Sequence, residues 1–200
     1  MFRFVLLLCL ALPIPLAAQQ PDSSSFANFH TQRAALDRRG LRVLGAWGAA
    51  NVAVSGARYF ATEGQEKYFH QMNASWGAVN LALAGAGLLA ARRPTSANRP
   101  AAVRAQLRTE TLYLFNAGLD AAYLATGLYL HERARTRATA VQQHRLRGYG
   151  RSLLLQGGFL LAFDGLMYAA HHRHGRRGLE PLLSHVALGP GSVAVVWEVR

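Results

Sequence analysis

Two hundred residues suit one domain, and a chain that is 51% hydrophobic and only 16% charged is poor in charge for a soluble one. The formal net charge is +12, yet the arginines sit beside apolar stretches, with no aromatic-rich basic groove. A nucleic-acid partner is therefore not expected, and a lipid bilayer with anionic headgroups is.

Residues 1–18 read as a signal peptide: Arg3 is the basic start, Phe4 to Leu12 is apolar, Pro13 and Pro15 break the run, and Leu16-Ala17-Ala18 ends in small residues. Cys9, the single cysteine, lies within it, so the mature chain is expected to have no disulfide, thiolate nucleophile or cysteine metal site. Residues 19–40 form a polar leader followed by basic sequence carrying Phe26, Phe29 and Leu36, expected as an interfacial amphipathic helix or as a solvated extension of the first span. Residues 41–172 hold four segments long enough to cross ~30 Å of hydrocarbon: Leu41–Phe60, Met72–Ala91, Thr111–Leu130 and Ser152–Ala170. The predicted connections are 61–71, 92–108 and 131–151, the second marked by Pro94, Asn98 and Pro100. The third ends in the loop signal Gly148-Tyr149-Gly150-Arg151, while its first part, 131–143, lacks a breaker and can extend the third helix. Residues 173–200 are a basic tail: His171-His172-Arg173-His174, with Arg176 and Arg177, reads as its headgroup-binding start, and Gly189-Pro190-Gly191-Ser192 as the turn of a short β-hairpin. The fold expected is an all-α, antiparallel four-helix transmembrane bundle.

Orientation is contested within the sequence. A signal peptide exports the residues after it, which with four spans puts both mature termini in the periplasm of a bacterial inner membrane. The arginine count points the other way. Eight Lys/Arg lie on the side of the 61–71 and 131–151 connections and thirteen on the opposite side. The signal is the more direct determinant, because exporting the leader is its dedicated role.

Trp47-Gly48-Ala49-Ala50-Asn51-Val52-Ala53-Val54-Ser55-Gly56 recurs as Trp76-Gly77-Ala78-Val79-Asn80-Leu81-Ala82-Leu83-Ala84-Gly85, with six of ten positions identical. In adjacent spans this is an inverted pair, a pattern found in transporters and equally a helix-packing solution used twice. Ala78, Ala82 and Ala86 read as a small-residue face for close approach.

Polar residues recur at matched depth. Measured from the side of the 61–71 connection, Asn51, Asn80 and Asp120 lie roughly 12–15 Å in, at about 1.5 Å per residue. Asn116 and Asp164 share the next layer, and Tyr123 and Gln156 a shallower one. In lipid each needs a partner, so Asp120 is expected among Asn51 and Asn80, and Asp164 against Asn116. These seven residues are the candidate polar core or ligand site. Glu66, His70 and His131 have the side-chain types of a metal or haem site. No catalytic constellation is present: no phosphate loop, strained-turn serine or HExxH pair.

The blocks Trp47–Gly56, Phe69-His70-Gln71-Met72-Asn73 with Trp76–Leu83, Phe115-Asn116-Ala117-Gly118-Leu119-Asp120, and Gly148-Tyr149-Gly150-Arg151 with Gln156–Tyr168 resemble a family of uncharacterised bacterial four-helix membrane proteins. The resemblance spans about residues 40 to 172. It implies four helices and a shared polar core and carries no assigned chemistry. Gly77 departs from the pattern, which has an amide after the tryptophan. Three functions are thus expected in order: a non-enzymatic structural or accessory subunit, meeting a membrane protein or a second copy of itself; a small transporter or proton-coupled channel using Asp120 and Asp164; and a metal- or haem-binding protein using His70 and His131. The first two need no cofactor.

Overall fold

The computed structural model describes residues 23–91, 99–179, 187–189 and 192–194. The signal peptide, most of the polar leader, Pro94, Asn98 and the end of the tail lie outside these residues. Four helices carry the fold: α1 (Ser23–Ala61), α2 (Gly64–Ala90), α3 (Arg99–Ala134) and α4 (Ala140–Gly178). Two three-residue strands, β1 (Ala187–Gly189) and β2 (Ser192–Ala194), pair antiparallel with Leu188 opposite Val193.

The helices are longer than the sequence expectation and the connections shorter. Phe26 and Phe29 belong to the first turns of α1 and are buried with Ala102 and Leu179. The amphipathic segment before the first span is therefore a helix extension whose aromatic face meets α3 and the end of α4, and these two aromatics are turned away from an interface. The α1–α2 connection is Thr62 and Glu63, not 61–71. Gly64 follows at φ +56°, a left-handed conformation glycine adopts without a Cβ penalty. Pro100 lies in the first turn of α3, where its missing N–H breaks no hydrogen bond. The α3–α4 connection is residues 135–139, and Thr139 caps α4 by accepting from the Gln142 N–H at 3.3 Å. Gly148-Tyr149-Gly150-Arg151, expected in that connection, is inside α4.

The reason is close packing. A Cβ on Gly148 would lie 2.5 Å from the Gln65 carbonyl oxygen, and one on Gly150 would lie 2.7 Å from that of Gly127. Two residues apart on α4, these glycines let it touch α2 on one side and α3 on the other. Along α1 and α2, Leu41 meets Gly87, Gly45 meets Ala84, Gly48 meets Gly77, and Ser55 meets His70. Ala78, Ala82 and Ala86 are exposed, so the close approach uses Gly77 and Ala84 instead of the alanine stripe. The main packing is α1 on α2, α3 on α4, and α2 on α4.

Polar side chains share the interior with apolar ones, and many large apolar side chains face outward. Asn51, Ser55, Asn73, Asn80, Asp120, Ser152, Gln156 and Asp164 are buried. Leu81, Leu83, Leu89, Leu112, Leu114, Phe115, Leu128 and Leu166 are exposed. Among the described residues one helix, α4, is long and apolar enough to cross a membrane by length and composition.

Candidate functional site

Two polar assemblies occupy the bundle interior, and Gln156 on α4 organises the first. Its Oε1 accepts the Trp47 indole N–H at 2.9 Å and, at a longer 3.5 Å, the Asn80 amide. Its Nε2 donates to Asn51 Oδ1 at 3.0 Å and to Asn73 Oδ1 at 2.9 Å. The Ser152 hydroxyl adds a 2.7 Å bond to Asn73 Oδ1, and the Asn51 amide returns to the Trp47 carbonyl at 2.8 Å. Trp47 stacks on Phe159 with ring centroids 4.0 Å apart, which fixes the indole's direction. This network ties α1, α2 and α4 together with both Gln156 amide ends in use. It is a closed structural knot with no vacant donor or acceptor on the hub. Asn73 and Ser152 were not singled out from sequence. The signal was there: Asn73 is seven residues before Asn80, two turns along the same face of α2.

The second assembly is a cleft of about 570 Å³ between α2 and α3. Leu83, Leu112, Leu119, Leu160 and Phe163 are among its apolar walls, and Asn80, Tyr113, Asn116, Asp120, Tyr123 and Asp164 are its polar lining. The cleft exists because α2 and α3 each pack on α4 and barely on one another. Trp76 on α2 and Tyr123 on α3 meet across it, edge to face with centroids 4.9 Å apart.

Asp164 meets Asn116, as depth matching along the helices led one to expect, and it also meets Asp120. The expected layer of Asp120 with Asn51 and Asn80 does not form. Asn51 and Asn80 are drawn to Gln156, and the cleft keeps α3 from closing on α2. Asp120 is instead paired with Asp164, and its Oδ2 is buried with no donor on it. Two facing carboxyls satisfy each other only when one keeps its proton, since two bare charges away from water repel and lack solvation. The pair, set between an amide and apolar walls, has the chemistry to share one proton or to receive a hydrogen-bond donor.

The proposed metal set is not assembled. Glu66 is ion-paired with Arg151. His70 Nδ1 lies 3.3 Å from Ser55 Oγ, and burial lowers the pKa of that imidazole below its ordinary value. His131 is exposed beside Gly150 at the end of α3. Among the described residues no three His, Cys, Asp or Glu side chains converge to hold a metal ion. Each residue was spent locally: Glu66 on the nearest cation, His70 on the facing hydroxyl.

The profile of a family of unknown function, DUF6992, matches residues 43–165. No curated protein and no solved structure matches the chain. The matched residues hold both the Gln156 network and the carboxyl pair, and leave out the N-terminal part of α1 and the tail.

Proposed function

The chain belongs to that family of unknown function, and from this premise we propose that it is a non-enzymatic membrane protein of four antiparallel spanning helices. Its cleft between α2 and α3 holds an apolar ligand that presents a hydrogen-bond donor, such as an amine, to Asp120 and Asp164. The bacterial inner membrane is the expected location. The membrane reading is supported by the amides and acids that are buried and the many large apolar side chains that lie outside. The contacts along α1 and α2 rise on one helix as they fall on the other, which supports the antiparallel order. The three helices that fall short of α4 in apolarity carry Asn51, Asn73 and Asn80, and Asn116 with Asp120, and these residues face inward and not toward lipid.

One observation carries the ligand reading: a pair of facing carboxyls lines an apolar cleft of ligand size. Intramembrane acids mark ligand or ion sites by default, since burial of a carboxyl without use is costly. The walls suit a hydrocarbon chain, and the carboxyls suit a donor at its end. The test is native mass spectrometry of the purified protein with added dodecylamine, dodecanol or dodecanoate. Dodecylamine is expected to bind in preference to dodecanoate. Asp164→Asn, which keeps size and hydrogen bonding, is expected to weaken the amine about tenfold, or ~1.4 kcal/mol. Leu119→Trp, which fills the cleft, is expected to abolish binding. Equal binding of all three amphiphiles, or binding indifferent to Leu119→Trp, would overturn the reading.

A further inference from the structure

At the end of the bundle away from the α1–α2 turn, a second set of titratable side chains lies directly beyond the cleft. His171 on α4 is fully buried. Its Nε2 lies 3.1 Å from Asp37 Oδ1 on α1, in ion-pair reach though off the hydrogen-bond line, and its Nδ1 has no partner. Its ring stacks on Tyr113 of α3, with centroids 5.5 Å apart and planes 21° from parallel. Tyr113 in turn lines the cleft with Asp164, and its hydroxyl is within electrostatic reach of both Asp37 and Asp164. Asp37 is itself partly exposed, so the series begins at the surface.

We propose that Asp37, His171 and Tyr113 form a proton route from that end of the bundle to the Asp164–Asp120 pair. A proton taken up at Asp37 passes to His171 Nε2, which faces it, and the unpartnered Nδ1 releases one. From there water carries it along the Tyr113 hydroxyl to the Asp164 carboxylate, because the stacked rings share no hydrogen bond and the hydroxyl reaches Asp164 only electrostatically. Asp164 hands it to Asp120 or keeps it, and the net movement is one proton with no other change. The groups facing His171 from the packed elements are few. Arg33 on α1 holds the other oxygen of Asp37 at 3.2 Å. Gln106 on α3 donates to the His171 carbonyl at 2.7 Å and to Glu110 at 2.6 Å. His174 lies one turn on along α4, within electrostatic reach. None of these occupies the imidazole nitrogens, which a structural histidine would have satisfied. The route rests on the proposed ligand site only in its consequence: a cationic ligand leaving the carboxyls would be replaced by a proton arriving from this end.

The experiment needs no ligand, so its outcome is independent of the amine-binding test. Infrared spectra of the purified protein in lipid nanodiscs, compared with Asp164→Asn, assign the protonated-carboxyl band of the pair. The rate at which that band shifts after transfer to D2O reports access to it. Tyr113→Phe, which loses one hydroxyl and keeps the stack, is expected to slow the shift at least tenfold, and His171→Phe to do the same. Asp37→Glu is expected to keep the wild-type rate. Should His171→Phe not fold, Tyr113→Phe with Asp37→Asn decides the matter. Wild-type rates in the hydroxyl and histidine variants, or in Tyr113→Phe and Asp37→Asn where His171→Phe does not fold, would overturn the proposal. So would the absence of any protonated-carboxyl band sensitive to Asp164→Asn.

Discussion

Asn51 and Asn80, the fifth residues of the two Trp-Gly-Ala repeats, bond to opposite ends of one side chain, Gln156, whose Nε2 serves the first at 3.0 Å and whose Oε1 serves the second at 3.5 Å. The repeats are thus joined through a third helix. Their tryptophans diverge: Trp47 donates to the same glutamine, while Trp76 faces Tyr123 across the cleft. Gln156→Leu would strand two amides and an indole inside the bundle. A loss of about 1–3 kcal/mol is expected, because a buried polar group deprived of its partner costs that much. Thermal unfolding of the detergent-solubilised variant, beside Gln156→Glu as a size-matched control, would measure it. A Gln156→Leu protein as stable as wild type would show that the network is dispensable.

Gly48 and Gly77, the second residues of the same repeats, touch each other. A Cβ on Gly48 would lie 2.7 Å from the Gly77 carbonyl oxygen, and one on Gly77 would lie 2.8 Å from the Gly48 carbonyl oxygen. The glycine at 77 is therefore the packing partner of the glycine at 48. Gly48→Val is expected to destabilise the α1–α2 pair by about 1–3 kcal/mol through overpacking against backbone that cannot yield. Gly85→Ala, where nothing lies within 4 Å, is expected to be neutral or to gain up to ~1 kcal/mol from helix propensity. Paired melting curves would separate the two, and equal shifts would mean the close approach is not tight.

His30 is buried with neither ring nitrogen partnered, and burial, aided by Arg33, lowers its pKa from 6.5. Linkage sets the sign: the folded state disfavours the imidazolium, so the unfolded chain binds more protons. The contribution of neutral His30 is whole above about pH 6.5 and is lost as pH falls below that value toward the depressed folded pKa. The bundle is therefore expected to lose more stability between pH 7.5 and pH 5 than His30→Gln does over the same range. Melting curves of both proteins at the two pH values supply the comparison. A parallel decline would assign the acid sensitivity to other groups, His174 first, since its pKa is lowered by burial as well.

Orientation has a direct measurement. With the signal exporting the leader, a reporter fused in the α3–α4 connection at Arg137 is expected in the cytoplasm, and one fused after Arg200 in the periplasm. Periplasmic activity at Arg137 would mean that the arginine distribution governs, in line with the positive-inside rule.

The sequence by itself determined the four helices, the presence of a polar core within them, and most of its members. Periods of apolar residues, long uninterrupted spans and amides at matched depth all act within one helix or between neighbours at one level. It did not determine the partners of Asp120, Asn51 and Asn80. Depth along a helix axis was readable, and it placed Asn116 beside Asp164. Rotation about that axis, and the distance between helices that are not sequence neighbours, were not. Asp120 was assigned to Asn51 and Asn80 because all three share a depth. Only the tertiary structure decided that α2 and α3 stand apart and that Gln156 takes both asparagines. The glycines at 148 and 150, which read as a loop signal, proved to be contact points inside α4. A glycine in sequence reports only that a side chain is absent. Whether that absence serves a turn or a neighbouring backbone is settled by what lies opposite, and that is a property of the packed bundle.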